Sequence, residues 1–326
     1  MKLSAYPRAA CSGIALAFAC IAPAQALELI AASVNPPGEP CYEALKLMHE
    51  KLAAGKTGVT LKVFPHGQVG DEKDAIEQVK MGAIDMTCVA SANLSSFAPS
   101  VGVFDIPFLF RDADKHPWVV ADGAIGKQIG AKIEKESGLH VLGWWSAGMR
   151  HVFTRKTVVK TPADMKDLKI RVIGSPVYID TFNALGAKPV PMPYAEVYTG
   201  LATGTIDAAE NDSSGYRNMK FYEQAPQLSL TGHFFLFKPV VANTAKLAKL
   251  SPEQRQEFDA VFAEATKYQR DLFATTFTGD VKWLTQNGVT VTEPDRAAFE
   301  AAVKPVQEKY AKKFGPELVD AIRKAQ

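Results

Sequence analysis

Two arginines carry the clearest chemistry in the sequence, because each lies among apolar residues. Arg171 is within the apolar segment 168–173, directly before a turn that contains Gly174. A charged group at the carboxyl end of a strand points into the crevice where open α/β sheets bind ligands. The planar guanidinium suits a carboxylate, since it can donate two parallel, charge-assisted hydrogen bonds. The alternatives are that Arg171 faces solvent or pairs with an acid of the protein, and Arg150, within 148–153, has the same ambiguity.

Asn211 is a third polar candidate for the same crevice. It follows the apolar segment 206–209, where a strand is expected to end. The alternative is that Asn211 and Ser213 build a turn or cap the next helix. These three residues together predict binding of a carboxylate rather than its conversion.

Motifs for catalysis are absent from the sequence. There is no P-loop, no Gly-x-Gly-x-x-Gly and no Gly-x-Ser-x-Gly. His49-Glu50 resembles the start of a zinc-binding helix motif, but Ala53 stands where the second histidine belongs. The other histidines fall in separate predicted elements: His66, His116, His140, His151 and His233. The sequence therefore predicts no enzyme, no catalytic residue, no metal ligand and no cofactor, with a secreted hydrolase or lyase as the less favoured alternative.

The first 26 residues have the pattern of a secretory signal peptide. Lys2 and Arg8 precede an apolar stretch over residues 9–22, and Ala24-Gln25-Ala26 supplies small residues for cleavage. The apolar stretch is shorter than the ~20 residues that a membrane-spanning helix needs, so an uncleaved anchor is the alternative we disfavour. We expect export of the chain to the periplasm.

The charge balance of the chain argues against a nucleic-acid partner. The 37 basic residues include Lys2 and Arg8, so the chain after residue 26 has as many basic as acidic residues, 35 of each. This balance leaves no excess of basic residues that would bind nucleic acid.

Two cysteines remain after the signal segment, Cys41 and Cys88, and either a disulfide or two buried thiols fits their context.

Strand-like and helix-like segments alternate along the first two thirds of the chain, which predicts an α/β fold with a parallel sheet. A strand-loop-helix-strand unit ending at 78–85 is echoed by one ending at 200–207, and both copies contain Gly and then Ile-Asp. A glycine at this position suits the residue just after a helix, where a left-handed backbone is favoured. The echo predicts two similar lobes.

A long helix is predicted to start at Ser251. Ser251-Pro252-Glu253-Gln254 contains a cap, a proline at the first helical position and a capping-box partner. No proline follows over the next turns and the first glycine is Gly279, so the helix could extend for about 25 to 35 residues, roughly 40 to 50 Å. That length is sufficient to lie along both lobes.

With these residues in view, the sequence resembles the extracytoplasmic solute receptors of TRAP transporters, the DctP-like family. The resemblance covers nearly the whole chain after the signal segment, and six motifs in family order carry it: 68–72 with 82–86, 104–109, 148–150, 168–172, 193–198 and 206–211. It implies a two-lobed α/β fold of the periplasmic-binding-protein type, with a ligand cleft between the lobes and a long helix spanning both. The implied domains are 27–148 plus about 237–278 for lobe I, and about 149–236 plus 279–326 for lobe II.

The resemblance also implies roles for individual residues. Arg171 is expected to grip the carboxylate of an organic acid, Arg150 to assist it, and Asn211 to form a hydrogen bond with the ligand. Five further residues align with positions that line the cleft: Asn35, Glu72, Asn93, Ser175 and Tyr194. Two aromatic residues, Trp145 and Tyr216, are candidates for packing on a sugar-acid ring, and core positions are the alternative for both.

The function implied by the resemblance is a periplasmic receptor for a small organic acid such as a sugar acid, a dicarboxylate or a hydroxy or oxo acid. Its expected partners are the small and large membrane subunits of a TRAP transporter. A sensory receptor that presents the bound acid to a histidine kinase is the alternative with the same cleft.

Overall fold

The computed structural model describes residues 26–326, so the predicted signal peptide lies outside the described residues apart from Ala26. Apolar and β-branched residues in this part of the chain form nine strands that join in one sheet. The strands are β1 (Leu27–Ala32), β2 (Val59–Phe64), β3 (Met86–Cys88), β4 (Leu139–Thr154), β5 (Lys169–Val172), β6 (Lys188–Pro191), β7 (Ala208–Asn211), β8 (Gln227–Asn243) and β9 (Thr290–Thr292).

Helices cover both faces of this sheet. They are α1 (Pro40–Ala53), α2 (Glu72–Met81), α3 (Ser91–Leu94), α4 (His116–Asp122), α5 (Ala124–Ser137), α6 (Pro176–Ala184), α7 (Val197–Thr203), α8 (Ser213–Asn218), α9 (Thr244–Leu247), α10 (Pro252–Gln286), α11 (Arg296–Ala302), α12 (Lys304–Phe314) and α13 (Pro316–Lys324). Short 3₁₀ turns occur at Pro99–Asp105, Pro162–Met165, Tyr194–Glu196 and Phe221–Glu223. None of the described helices combines the length and hydrophobicity needed to cross a membrane.

The strand order β2-β1-β3-β8-β4-β7-β5-β6 divides the sheet into two blocks. Strands β1, β2 and β3 run parallel to one another in the first block, and β5, β6 and β7 do so in the second. The long antiparallel strands β4 and β8 run between the blocks and pair with each other. We call the part around β1–β3 the first lobe and the part around β5–β7 the second lobe.

The sequence echo has a structural explanation. The helices α2 and α7 end at Gly82 and Gly204, which both have φ 76° in the left-handed region. The aspartates that follow, Asp85 and Asp207, accept hydrogen bonds from the backbone N–H of Ile30 at 2.7 Å and of Lys169 at 3.0 Å. Each aspartate therefore fixes the return from the helix to the first strand of its lobe.

The ladder between β4 and β8 is interrupted near its middle. Its register shifts between Ser146 and Met149 and between Arg150 and Val152, and a further shift lies between Val141 and Gly143. Two glycines at these interruptions have positive φ, Gly148 at 62° and Gly232 at 55°. A residue with a Cβ is disfavoured in that conformation, so the sequence itself introduces the interruptions.

The helix α10 confirms the prediction of a long helix. Ser251 accepts a hydrogen bond from the Gln254 N–H at 3.2 Å, and the two residues form a capping box with Pro252 between them. The helix has 35 residues, which corresponds to a length of roughly 50 Å. Near its middle, Gln269 donates to the Ser146 carbonyl at 2.7 Å, and close to its end Asp280 accepts from Arg217 of the second lobe at 2.9 Å. It thus lies along both lobes.

The last helix, α13, packs against the first lobe, although the predicted domain bounds place 279–326 in the second lobe. Val319 and Ile322 of α13 are buried in the same core as Phe104 and Ile129 of the first lobe. The Ile322 carbonyl lies 2.7 Å from Nε2 of the buried His116. The chain therefore returns to the first lobe at its C-terminus, whereas Phe299 of α11 is buried in one core with Ile170 of the second lobe.

Cys41 at the start of α1 and Cys88 at the end of β3 form a disulfide. Of the two arrangements that the sequence left open, the structure has the bonded one. Both residues are buried, and the bond ties α1 to the central part of the sheet.

Candidate ligand-binding site

A cavity of about 570 Å³ lies between the two lobes. This volume is within the range of small-molecule sites, roughly 300–1,000 Å³. Seven predicted site residues line it: Asn35, Glu72, Asn93, Arg150, Arg171, Tyr194 and Asn211. They come from both lobes and from the crossing strands, so the fold brings together residues that are far apart in the sequence.

Arg171 is positioned by β5, between the buried residues Ile170 and Val172. Its guanidinium is 4% exposed, and its Nε donates to the Met192 carbonyl at 2.9 Å. Its Cζ lies 5.9 Å from the centre of the Tyr194 ring. No ion pair within residues 26–326 involves Arg171, and burial lowers its pKa from the ordinary arginine value. Arg171 is therefore a buried cation at the cavity wall without an acidic partner in the described structure.

Arg150 is also buried, but its guanidinium already forms an ion pair within the protein. Its Nε and Nη2 donate to the two carboxylate oxygens of Glu210 at 2.7 and 2.8 Å. Burial alone would raise the pKa of Glu210, yet Arg150 and His233 lower it to about 2. Asp212 adds a longer contact of 3.6 Å with Nη1 of Arg150. Arg150 consequently has less capacity than Arg171 to bind an added carboxylate.

Asn211 and Tyr194 connect this ion pair to the other lobe. Asn211 accepts a hydrogen bond from Arg150 through Oδ1 and donates through Nδ2 to the Tyr194 hydroxyl at 3.0 Å. The Tyr194 hydroxyl donates to Glu39 of the first lobe at 3.2 Å. A Cβ on Gly215 would lie 2.9 Å from that hydroxyl, so the arrangement needs a glycine at this position.

The first-lobe wall is a second polar network. Lys238 of β8 lies 3.1 Å from a Glu72 carboxylate oxygen and donates to Oδ1 of Asn35 at 2.5 Å. The other oxygen of Glu72 accepts from the Ala90 N–H at 2.9 Å and from Asn93 at 2.7 Å. Burial raises the pKa of Glu72, but Lys238 and these donors outweigh it and keep the pKa below its ordinary value. Lys238 and Glu72 thus balance each other in charge.

Glu39 is the acid of the cavity with the least compensation. It is 5% exposed and accepts hydrogen bonds from Asn35 and Tyr194. No lysine or arginine of the described residues lies within ion-pair distance of it. Burial and, next, the charge of Asp212 raise the pKa of Glu39 to about 7. Glu39 is therefore poised between its protonated and ionised forms near neutral pH.

Three predicted site residues do not line the cavity. Trp145 is buried, donates to Thr266 at 2.8 Å and stacks on Phe262. Tyr216 is also buried, and its hydroxyl donates to the Ala225 carbonyl at 2.7 Å. Ser175 is fully buried before α6, and its Oγ has no partner among the described residues. For Trp145 and Tyr216, the alternative of a core position is the one observed.

Sequence reasoning missed three buried charged residues of the site: Glu39, Asp212 and Lys238. For Lys238 a signal was present, since it is the only charge in the apolar run 234–242 and is unlikely to be tolerated there without a partner. Glu39 lies in a Pro- and Gly-containing turn that gives no sign of burial. No group of histidine, cysteine, aspartate and glutamate in the described part could hold a metal ion.

Residues 31–313 match the family model DctP, described as bacterial extracellular solute-binding protein, family 7. The chain belongs to this family. One family 7 relative is the 2,3-diketo-L-gulonate-binding periplasmic protein YiaO of Escherichia coli, 40% identical over 83% of both chains. The family assignment confirms the resemblance seen in the sequence.

Solved structures of family 7 proteins have the same architecture. A TRAP periplasmic solute-binding protein of Citrobacter koseri with bound D-glucuronate is 36% identical, with a TM-score of 0.86 over 92% of this chain and 100% of that one. A second, from Polaromonas, is bound to D-erythronate and is 30% identical, with a TM-score of 0.87 over 92% of this chain and 99% of that one. The predicted two-lobed α/β fold and the role as a solute receptor are therefore confirmed.

Proposed function

We propose that this family 7 protein is a periplasmic receptor that binds an acid sugar in the cavity and delivers it to the membrane subunits of a TRAP transporter. The observation that carries the proposal is the buried guanidinium of Arg171, which lines the cavity and has no acidic partner among the described residues. Burying a charge without a counterion costs free energy. An anionic ligand that pairs with Arg171 removes this cost, so the ion pair adds to the affinity of the ligand. The acids bound to the Citrobacter and Polaromonas relatives have such a carboxylate.

The carboxylate of the ligand pairs with Arg171, and Asn211 and Arg150 support it from the neighbouring strands. Asn211 is already fixed by Arg150 and Tyr194, which reduces the cost of ordering it on binding. A charge-assisted hydrogen bond contributes roughly 1.5–3 kcal/mol net. Two of these with a few neutral hydrogen bonds are in scale with a micromolar Kd, about −8 kcal/mol.

The hydroxyl groups of the ligand are expected to bind to the first-lobe network. Lys238, Asn93 and Asn35 offer donors there, and Glu72 and Glu39 offer acceptors. Buried groups with directed hydrogen bonds discriminate strongly against a ligand that leaves them unpaired. This network favours a hydroxylated acid over an apolar one of the same size.

Ligand binding is proposed to couple to closure of the two lobes. The contact between Tyr194 of the second lobe and Glu39 of the first crosses the cavity, and a bond from Asn218 to the Gly38 carbonyl at 3.1 Å also joins the two lobes. Opening would separate these pairs and expose Arg171. The signal segment of residues 1–26 is proposed to direct the chain to the periplasm, where the membrane subunits receive the closed form.

A thermal-shift screen of the purified protein tests this function. D-glucuronate, D-galacturonate, D-erythronate and 2,3-diketo-L-gulonate are compared with D-glucose and D-glucuronamide, which lack the carboxylate. A bound acid at 100 times its Kd should stabilise the folded state by about 2.7 kcal/mol. The neutral controls should leave the melting temperature unchanged. Stabilisation by the neutral compounds alone would contradict the proposal.

A further inference from the structure

Buried carboxylates outnumber buried cations around the cavity. Three buried cations line it, Arg150, Arg171 and Lys238, each 5% exposed or less, and the half-buried Lys73 lies at its wall as well. Four buried carboxylates accompany them: Glu39, Glu72 and Asp212 on the cavity wall, and Glu210 behind Arg150. Glu72 and Glu210 are paired with Lys238 and Arg150. Of these three buried cations, Arg171 alone has no ion pair within the described residues. Glu39 has none either, and Asp212 has only the 3.6 Å contact with Arg150.

Arg171 and Glu39 lie near different parts of the Tyr194 side chain. The guanidinium of Arg171 lies 5.9 Å from the centre of the Tyr194 ring, and a Glu39 oxygen lies 3.2 Å from the hydroxyl at the other end of this side chain. Asp212 acts on Glu39, since its charge is the largest influence after burial on the pKa of that residue. A ligand whose carboxylate contacts Arg171 can thus place its opposite end near Glu39.

Resting on the proposed function, we infer that Glu39, supported by Asp212, makes this site selective for acids that carry a single carboxylate and excludes dicarboxylates of the same length. A terminal hydroxyl can donate to ionised Glu39 or accept from its protonated form. A second carboxylate can bind there only if Glu39 holds a proton, because two like charges in a poorly solvated cavity repel each other strongly.

The groups that face Glu39 come from several elements. Asn35 lies in the same loop, Lys238 comes from β8, Tyr194 from the turn after β6, and Asp212 from the residue after β7. Lys238 lowers the pKa of Glu39, but it is already in contact with Glu72 and Asn35. Discrimination against a dianion is therefore expected to be strong at pH 8 and weaker at pH 6, where Glu39 is largely protonated.

Isothermal titration with matched pairs of acids tests the inference. D-gluconate and D-glucarate differ at one end by hydroxymethyl against carboxylate, and D-erythronate and meso-tartrate differ in the same way. Both carboxylates of the diacids stay ionised at pH 6, since ordinary carboxyl pKa values are near 4. At pH 8 the monoacid of each pair should bind at least tenfold more tightly than the diacid. Glu39→Gln should reduce this ratio by about tenfold or more and remove its pH dependence.

Glu50→Gln is the matched control, because Glu50 is an exposed glutamate on the adjacent helix α1 with only a surface partner, Lys46. It should retain the wild-type ratio. If the diacid binds as tightly as the monoacid in the wild type, or if Glu39→Gln leaves the ratio unchanged, the inference is wrong while the proposed function stands. If no acid binds, both are wrong. The comparison of the monoacid-to-diacid affinity ratio at pH 8 and pH 6 needs only the wild-type protein. It therefore tests the inference even if Glu39→Gln does not fold.

Discussion

Arg150 and Glu210 form a buried ion pair in which both carboxylate oxygens accept from one guanidinium, at 2.7 and 2.8 Å. This pair explains why two arginines in one cavity have different roles. The charge of Arg150 is balanced within the protein, and its geometry fixes Asn211. Arg171 is held by a single backbone carbonyl and retains its charge for a ligand.

Replacing Arg171 should abolish most of the affinity for acids without unfolding the protein. Arg171→Ala removes both charge-assisted bonds, and we expect a loss of at least a hundredfold, about 2.7 kcal/mol, in titration calorimetry. Arg171→Lys should recover part of the loss, since a lysine supplies the charge but not the planar pair of donors. An unchanged Kd in Arg171→Ala would remove this residue from the site.

Arg150→Ala should act mainly on stability. It leaves Glu210 buried without its partner, and such a loss costs about 3–5 kcal/mol. Urea denaturation measures the change in the free energy of unfolding. Lys267→Ala is a suitable comparison, because it breaks an ion pair with Asp271 whose members are more than half exposed, and such pairs contribute about 1 kcal/mol or less. Equal effects of the two substitutions would show that the Arg150 pair is not buried in solution.

Glu39 should make the unliganded protein less stable as the pH rises from about 4.5 toward 7. Its pKa is raised from 4.5 to about 7, so the folded state holds a proton that the unfolded state releases between these values. The resulting stabilisation is fully present below about pH 4.5 and is lost toward pH 7, up to about 3 kcal/mol. The free energy of unfolding of the wild type relative to Glu39→Gln should therefore fall between pH 5 and 7.5. A difference that is constant over this range would contradict the raised pKa.

The disulfide between Cys41 and Cys88 should contribute measurably to stability. It closes a loop with a sequence separation of 47 residues, for which about 2–4 kcal/mol is typical. The double variant Cys41→Ala, Cys88→Ala should unfold at lower urea concentration than the oxidised wild type. Dithiothreitol should destabilise the wild type and leave the variant unaffected. Identical midpoints for all samples would mean that the two sulfurs are not bonded in solution.

The features that the sequence predicts correctly are those decided by neighbouring residues. The cap at Ser251, the glycines at the ends of α2 and α7, and the position of Arg171 at a strand end all depend on a few adjacent residues. The resemblance to a family then supplies what local patterns lack, namely that residues such as Asn35 and Asn211 meet in one cavity. Whether they bind the ligand stays a prediction.

The features that were missed depend on contacts between distant segments. Nothing near Glu39 in the sequence indicates that Tyr194 covers it, and nothing near α13 indicates that His116 binds its carbonyl. Trp145 was ambiguous for the same reason, since an aromatic side chain fills a core or a ligand site depending on what packs against it. Whether such a side chain lies in a core or in a ligand site depends on the packing of the complete fold.

The interruptions of the β4–β8 ladder at Gly148 and Gly232 limit where the molecule can bend. The paired stretches on either side can rotate as stiff units, while a few torsion angles beside these glycines absorb the motion. Amide protons in those stretches should then exchange equally slowly with and without ligand, and protection should change near residues 147–149 and 230–233. Motion of the receptor would thus be confined to the middle of β4 and β8, and the hydrophobic cores of the two lobes would stay intact.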